Sequence, residues 1–332
     1  MSTSRFSPGG RRERDAEAEA AATPPRNSPA GSPSLPPSSD VPAGVPIRPD
    51  LGPPAAGVQP VDQPGSGLGL VVSVAVSLVV FVLAIYATGQ PTSNRTPLLQ
   101  TTNSVFWLVG AIAVVGAGFG AQYAERVASR GIAAVRGQSE SALTTAWIVP
   151  TVATAAAVLL VATFHNALMM AVGPLVAFLG NAGALLSRDL LDDAADSSHH
   201  SATVIHTLVV HAVAFLALSA VYLNKLPTPV AAPLVAVIGG LLVLETLERE
   251  TADRGRRVTY ALLGALAMGQ ATIALNWWLT HGWTGGAVLL VCFYLAAGVL
   301  LAATQRSTIR SRDLVEFGLV GLVALAILAV TA

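Results

Sequence analysis

Nine stretches of 18 to 23 residues, nearly free of charge, follow one another from Gly67 onward: 67–88, 104–122, 144–164, 167–186, 202–224, 230–247, 258–279, 286–304 and 314–331. At about 1.5 Å of rise per residue each reaches about 27–35 Å, which matches a hydrocarbon core of about 30 Å. A chain inside lipid must satisfy its own backbone hydrogen bonds, and helices do so within one segment. The alternating apolar and polar pattern of an outer-membrane barrel is absent. The expected fold is an all-α integral membrane protein of about nine transmembrane helices. Only 11% of residues are Asp, Glu, Lys or Arg, which excludes an ordinary soluble globule and a nucleic-acid binder.

Composition breaks near residue 66. Residues 1–66 hold 14 of the 21 prolines and 13 of the 38 charges. With little apolar bulk to offset the entropy of ordering, this Pro/Ser/Ala-rich tail is expected to be disordered. Residues 67–332 form the polytopic domain. Arg11-Arg12 stands about 55 residues before the first apolar run, too far for an export signal, so segment 67–88 reads as a retained anchor.

Loop charges set the expected orientation. Nine spans place Arg126, Arg130, Arg136, Arg188, Arg249, Arg254, Arg256, Arg257, Arg306, Arg310 and Arg312 on one side and only Arg95 and Lys225 on the other. Eleven against two puts the N-terminus in the cytoplasm and the C-terminus outside, across an inner (plasma) membrane. Trp277, Trp278 and Trp283 gather at an outer end, as an interfacial aromatic belt does.

The inner helix ends match in pairs. Glu125-Arg126 with Arg130-Gly131 resembles Glu248-Arg249 with Arg254-Gly255, and Ser187-Arg188-Asp189 resembles Ser311-Arg312-Asp313. The suggested arrangement is two parallel four-helix repeats, segments two to five and six to nine, behind one extra N-terminal helix. The preference for arginine on inner loops also makes basic helix ends look alike, so both origins stay open.

Polar residues inside the spans are the candidates for function. His211 lies about 13 Å beyond Ala202, close to the midplane, where an ionisable group is costly and needs a partner or a cavity. Glu245 and Glu316 stand in the end turns of segments six and nine, within reach of Arg249 and Arg312. Gln270, Asn276 and Asn181 suit hydrogen bonds between helices, and Gly116 and Gly120 suit close helix packing. His211, Gln270, Asn276, Glu245 and Glu316 therefore form the candidate polar site. His206 is about 140° around the helix from His211, so the two cannot hold one metal from a single face.

The inner loop 187–201, SRDLLDDAADSSHHS, offers Asp192, Asp193, Asp196 and His199 as metal ligands if helical. The bland reading is a solvated acidic connector. Intramembrane prenyltransferases have nine spans and Asp-rich inner loops, and this loop resembles theirs in composition. Their two Asp motifs follow spans two and six, where this chain reads ERVASRG and ERETADRG, so no catalytic role carries over. Cys292, the only cysteine, permits no intrachain disulfide.

The best reading is a small-molecule or ion transporter, or a permease-like component, rather than an enzyme. A metal-dependent transferase acting on a lipid-linked substrate and a structural or assembly subunit are the alternatives. Catalytic residues are not assigned, and no cofactor is expected. Expected partners are the lipid bilayer and a second copy or another membrane protein, with no nucleic acid.

Overall fold

Long runs of Leu, Val and Ala without turn residues form helices, and each of the nine predicted segments is one. The structure, a computed structural model, describes residues 64–90, 103–136, 145–193, 196–224, 226–248, 253–277, 283–306 and 311–331. Within them lie α1 (Pro64–Thr88), α2 (Ser104–Arg136), α3 (Ile148–Thr163), α4 (Met169–Asp193), α5 (Asp196–Leu223), α6 (Thr228–Thr246), α7 (Arg254–Asn276), α8 (Trp283–Arg306) and α9 (Ser311–Thr331), with no strand among the described residues. The tail 1–63, Arg95, Lys225, Arg249 and His281 lie outside them.

Among the described residues seven helices are long and apolar enough to cross a membrane. The two shorter apolar stretches are α3, with 16 residues, and Val315–Leu328 in α9. Twelve of the sixteen residues of α3 are buried. It packs against α1, α2, α4, α5 and α6, so protein rather than lipid surrounds it.

Two helix ends depart from expectation. Helix α2 continues past the apolar segment to Arg136, because AQYAERVASR is rich in good helix formers. Most of the stretch 187–201 is helical rather than a loop. Residues 187–193 complete α4 and residues 196–201 begin α5, and Ser187, Arg188 and Leu191 are buried.

Successive helices run in opposite directions. Gly69 at the start of α1 meets Leu185 near the end of α4. Arg256 Nη2, at the start of α7, donates to the Ala303 carbonyl near the end of α8 at 3.1 Å. Arg188, Arg256 and Arg257 thus share one end of the bundle. Trp277 and Trp283 lie at the opposite end and are exposed, with the Trp283 ring stacked on Phe164.

Small residues and polar pairs join the helices. At Gly240 an added Cβ would sit 2.7 Å from Ala265 Cβ, and at Gly286 it would run into Ser219 of α5. Asn181 Nδ2 donates to Thr154 Oγ1 at 3.0 Å, tying α4 to α3. Asn276 Nδ2 donates to Thr228 Oγ1 at 3.0 Å, tying α7 to α6. Of the glycine pair expected to pack closely, Gly120 abuts Val72 of α1, whereas Gly116 has open space. In both halves of the suggested duplication each helix packs on the next. Yet α3 also packs on α5, and α7 and α9 share no such packing among the described residues.

Two measurements test this packing. Gly286→Val should destabilise the purified protein by about 1–3 kcal/mol through overpacking, and Gly116→Val should leave its thermal midpoint unchanged. At the opposite end from Arg188, burial lowers the pKa of His165 from its ordinary 6.5, outweighing the backbone hydrogen bond at Ala162 that raises it. The folded chain then binds this proton less readily than the unfolded chain. Its effect on stability is absent well above pH 6.5 and grows as pH falls from there through the lowered folded value. His165→Gln should flatten the fall in Tm on acidification through that window.

Candidate functional site

Helical period decides which polar side chains turn inward. On α4, Asn181, Ala184, Arg188 and Leu191 are three, four and three residues apart and fall on one buried stripe. Glu245 follows Ile238 and Leu242 on the core face of α6 in the same way. On α5 the stripe runs Ala202, His206, Val210. These stripes meet at the arginine-bearing end of the bundle.

Arg188 lies at their centre and is 2% exposed. Its Nε donates to Glu245 Oε1 at 3.1 Å, and Nη2 lies 3.0 Å from the same oxygen. Nη2 also pairs with Glu248 Oε2 and donates to Thr145 Oγ1 at 3.0 Å. Glu125 Oε1 of α2 approaches Nη1 at 3.7 Å. The Thr145 hydroxyl reaches Glu248 Oε2 at 2.6 Å and also Glu245 Oε2, with one proton to offer the two carboxylates. The Thr145 backbone N–H donates to Glu248 Oε1 at 2.7 Å.

This cluster draws together α2, α4, α6 and the segment that enters α3. The carboxylates of Glu245 and Glu248 stand at the N-terminal end of α3, where the helix dipole favours negative charge. A guanidinium this deep needs its planar fork of donors filled, and the two glutamates and the threonine fill most of it.

His206 extends the cluster to α5. Its Nδ1 lies 2.9 Å from Ser187 Oγ, and its Nε2 lies 3.6 Å from Glu245 Oε1. When the Ser187 hydroxyl gives its proton to the Ala184 carbonyl, at 3.0 Å, Nδ1 must be the donor to Ser187. A second proton on Nε2 would then face the Glu245 carboxylate. The pair therefore offers a position for a transferable proton at the edge of a cavity.

That cavity, of about 640 Å³, is walled by α5, α6, α8 and α9, with Leu191 of α4. Ligand sites commonly occupy roughly 300–1,000 Å³. Glu245 and His206 line one part of it and His211 another. His211 Nδ1 donates to the Thr207 carbonyl at 2.8 Å, so the neutral ring presents Nε2 as an acceptor. The His211 ring packs edge-on against Phe293 and Tyr294.

Of the residues expected to form a site, His211 and Glu245 share this cavity, while Gln270, Asn276 and Glu316 are exposed and do not line it. Glu245 pairs with Arg188, and the side chains of Arg249 and Arg312 lie outside the described ones. The side chains of Asp192, Asp193, Asp196 and His199 also lie outside the described residues. Among the described residues no three His, Cys, Asp or Glu side chains are grouped to hold a metal. Arg188, Thr145, Glu125 and Glu248 were not expected in a site. Reading Arg188 in phase with Asn181 and Ala184 is the signal that finds it.

Residues 90–331 match the model of a family described as "Protein of unknown function (DUF5656)", and the match covers well over half of the 332 residues. The chain belongs to that family. The match spans α2 to α9 and begins after α1. No curated protein and no solved structure matches the chain.

Removing the cation should be more harmful than removing the pair. Arg188→Met leaves buried carboxylates facing one another and should cost about 3–5 kcal/mol of stability. Glu245→Gln added to Arg188→Met should recover part of that loss. Thermal unfolding of the purified variants reads both, and an unchanged midpoint in Arg188→Met would show that water already solvates the cluster.

Proposed function

We propose that this member of the DUF5656 family is a transport or permease-type membrane protein that admits a small molecule to the cavity beside Glu245, His206 and His211. One observation carries the reading: the cavity runs from the charged end of the bundle to His211, near the middle of the His200–Leu223 span. Ionisable side chains so deep in an apolar helix are expensive, and they concentrate on ion and substrate pathways. The arginines gathered at the Arg188 end favour a cytoplasmic orientation for that end, in a plasma membrane.

Each residue has a distinct task in this reading. Exposed Thr203 and Gln305 form the polar mouth. Glu245 and the His206 and His211 rings offer hydrogen-bonding partners inside it. Arg188 holds Glu245 in place from behind. The side chains lining the cavity bind and orient, and the reading requires no covalent step.

Thiol accessibility tests the proposal. In a Cys292→Ser background, Thr207→Cys should react with a small charged thiol reagent applied from the Arg188 side, many times faster than Leu208→Cys. Leu208 is 68% exposed on the same helix but does not line the cavity. Equal, slow modification of both cysteines from either side would overturn the reading.

A further inference from the structure

The lining of the cavity changes character along its length. Thr203, His206, Glu245 and Gln305 lie toward the Arg188 end, and Val210, Ala297, Leu301, Tyr294 and Phe317 lie farther in, with the His211 ring against Tyr294. Between Gln305 and Tyr294 helix α8 advances eleven residues, or about 16 Å. A small polar solute finds most of its partners in the first part. The rest matches a flexible hydrocarbon chain, since apolar and aromatic groups there gain by excluding water.

Access is also asymmetric. Helix α9 packs on α8, and among the described residues it makes no packing contact with α5 or α6. It is held by Phe317, whose ring lies against Gly298 and meets Tyr294 edge-on with centroids 6.0 Å apart. The walls contributed by α5 and α9 thus do not close on each other. Both helices also carry exposed apolar side chains, Leu208 on α5 and Val315 and Leu319 on α9, of the kind a bilayer covers.

Charge selects the head group. Among the described residues the ionisable side chains lining the cavity are one carboxylate, two imidazoles and a phenol, with no lysine or arginine. The nearest guanidinium, Arg188, stands behind Glu245 with donors committed to Glu245, Glu248 and Thr145. Among these described side chains an anionic head would face Glu245 with no cation beside it. A hydroxyl or ammonium head finds an acceptor in Glu245.

We infer that the ligand is a single-chain amphiphile with a neutral or cationic, hydrogen-bond-donating head, which enters from the bilayer between α5 and α9. Its head lies by Glu245 and His206, and its chain lies along Tyr294, Leu301 and Phe317. The inference rests on the cavity reading and names the class of molecule that the cavity takes.

Photoreactive dodecylamine, dodecanol and dodecyl phosphate, each with a diazirine in the chain, test it on the full-length protein in nanodiscs. The amine and the alcohol should label the α8 peptide containing Tyr294 to Leu301, and the phosphate should label it at least several-fold less. Thr207→Trp, which fills the cavity from an exposed position, should abolish that labelling, whereas Leu208→Trp should not. Equal labelling by the phosphate would overturn the head-group assignment. If no probe labels α8 while Thr207→Cys still reacts with the soluble thiol reagent, the amphiphile falls and the cavity reading stands. If Thr207→Cys is also inert, both fall together.

Discussion

A buried guanidinium needs carboxylates, and that requirement organises one end of this bundle. Arg188 has lost nearly all its water, and Glu245, Glu248 and Thr145, with Glu125 nearby, take the place of that hydration around its guanidinium. Such a network adds little net stability relative to an apolar core of the same shape. It does exclude alternative packings, because any shift of α4 against α6 strands a charge. The opposite end has no described counterpart and relies on close contacts such as Gly286 against Ser219.

Glu245 belongs to both the latch and the cavity. One oxygen meets Arg188 and His206, the other meets Thr145, and the side chain borders the cavity. Whatever draws on the hydrogen-bonding capacity of Glu245 from the cavity side competes with Arg188 for it. By linkage, a ligand that did so would loosen the α4–α6 joint, and a firmer joint would oppose that ligand. His206 is placed to moderate this competition, since its Nε2 lies near the same oxygen and its Nδ1 is anchored on Ser187 of α4.

Most of the helical fold was legible in the sequence, because uncharged runs of bilayer length leave the backbone no other way to satisfy itself. The helix ends were less so. Where hydropathy falls, as in AQYAERVASR and SRDLLDD, helix propensity continues, and a boundary drawn on apolarity alone stops too early. That error hid Arg188, which counted as a loop charge although its spacing from Asn181 and Ala184 keeps it on the buried face. His211 and Glu245 stood out because each is a lone ionisable group in an apolar run. Their meeting in one cavity depends on how α5 and α6 are rotated, which only packing determines. The angle between His206 and His211 rules out a shared metal from one helix face. A cavity wall is wider than one face, and both histidines line it.

Helix α3 shows how the latch bears on the rest of the fold. Sixteen residues reach about 24 Å, short of a hydrocarbon core. A short helix facing lipid would bring its unpaired terminal N–H groups into hydrocarbon. Here the entry to α3 meets Glu248 and Glu245 instead, and its sides meet five other helices. The carboxylates that neutralise Arg188 thus also provide the polar terminus that α3 lacks in its own sequence, where Trp147 makes no side-chain cap. Glu125 and Glu248, the matching residues of the two similar inner helix ends, converge on this one arginine from α2 and from the end of α6. Two similar helix ends sharing a single cation is an asymmetric solution. It accords with a packing in which α3 reaches α5 while α7 and α9 show no equivalent contact among the described residues.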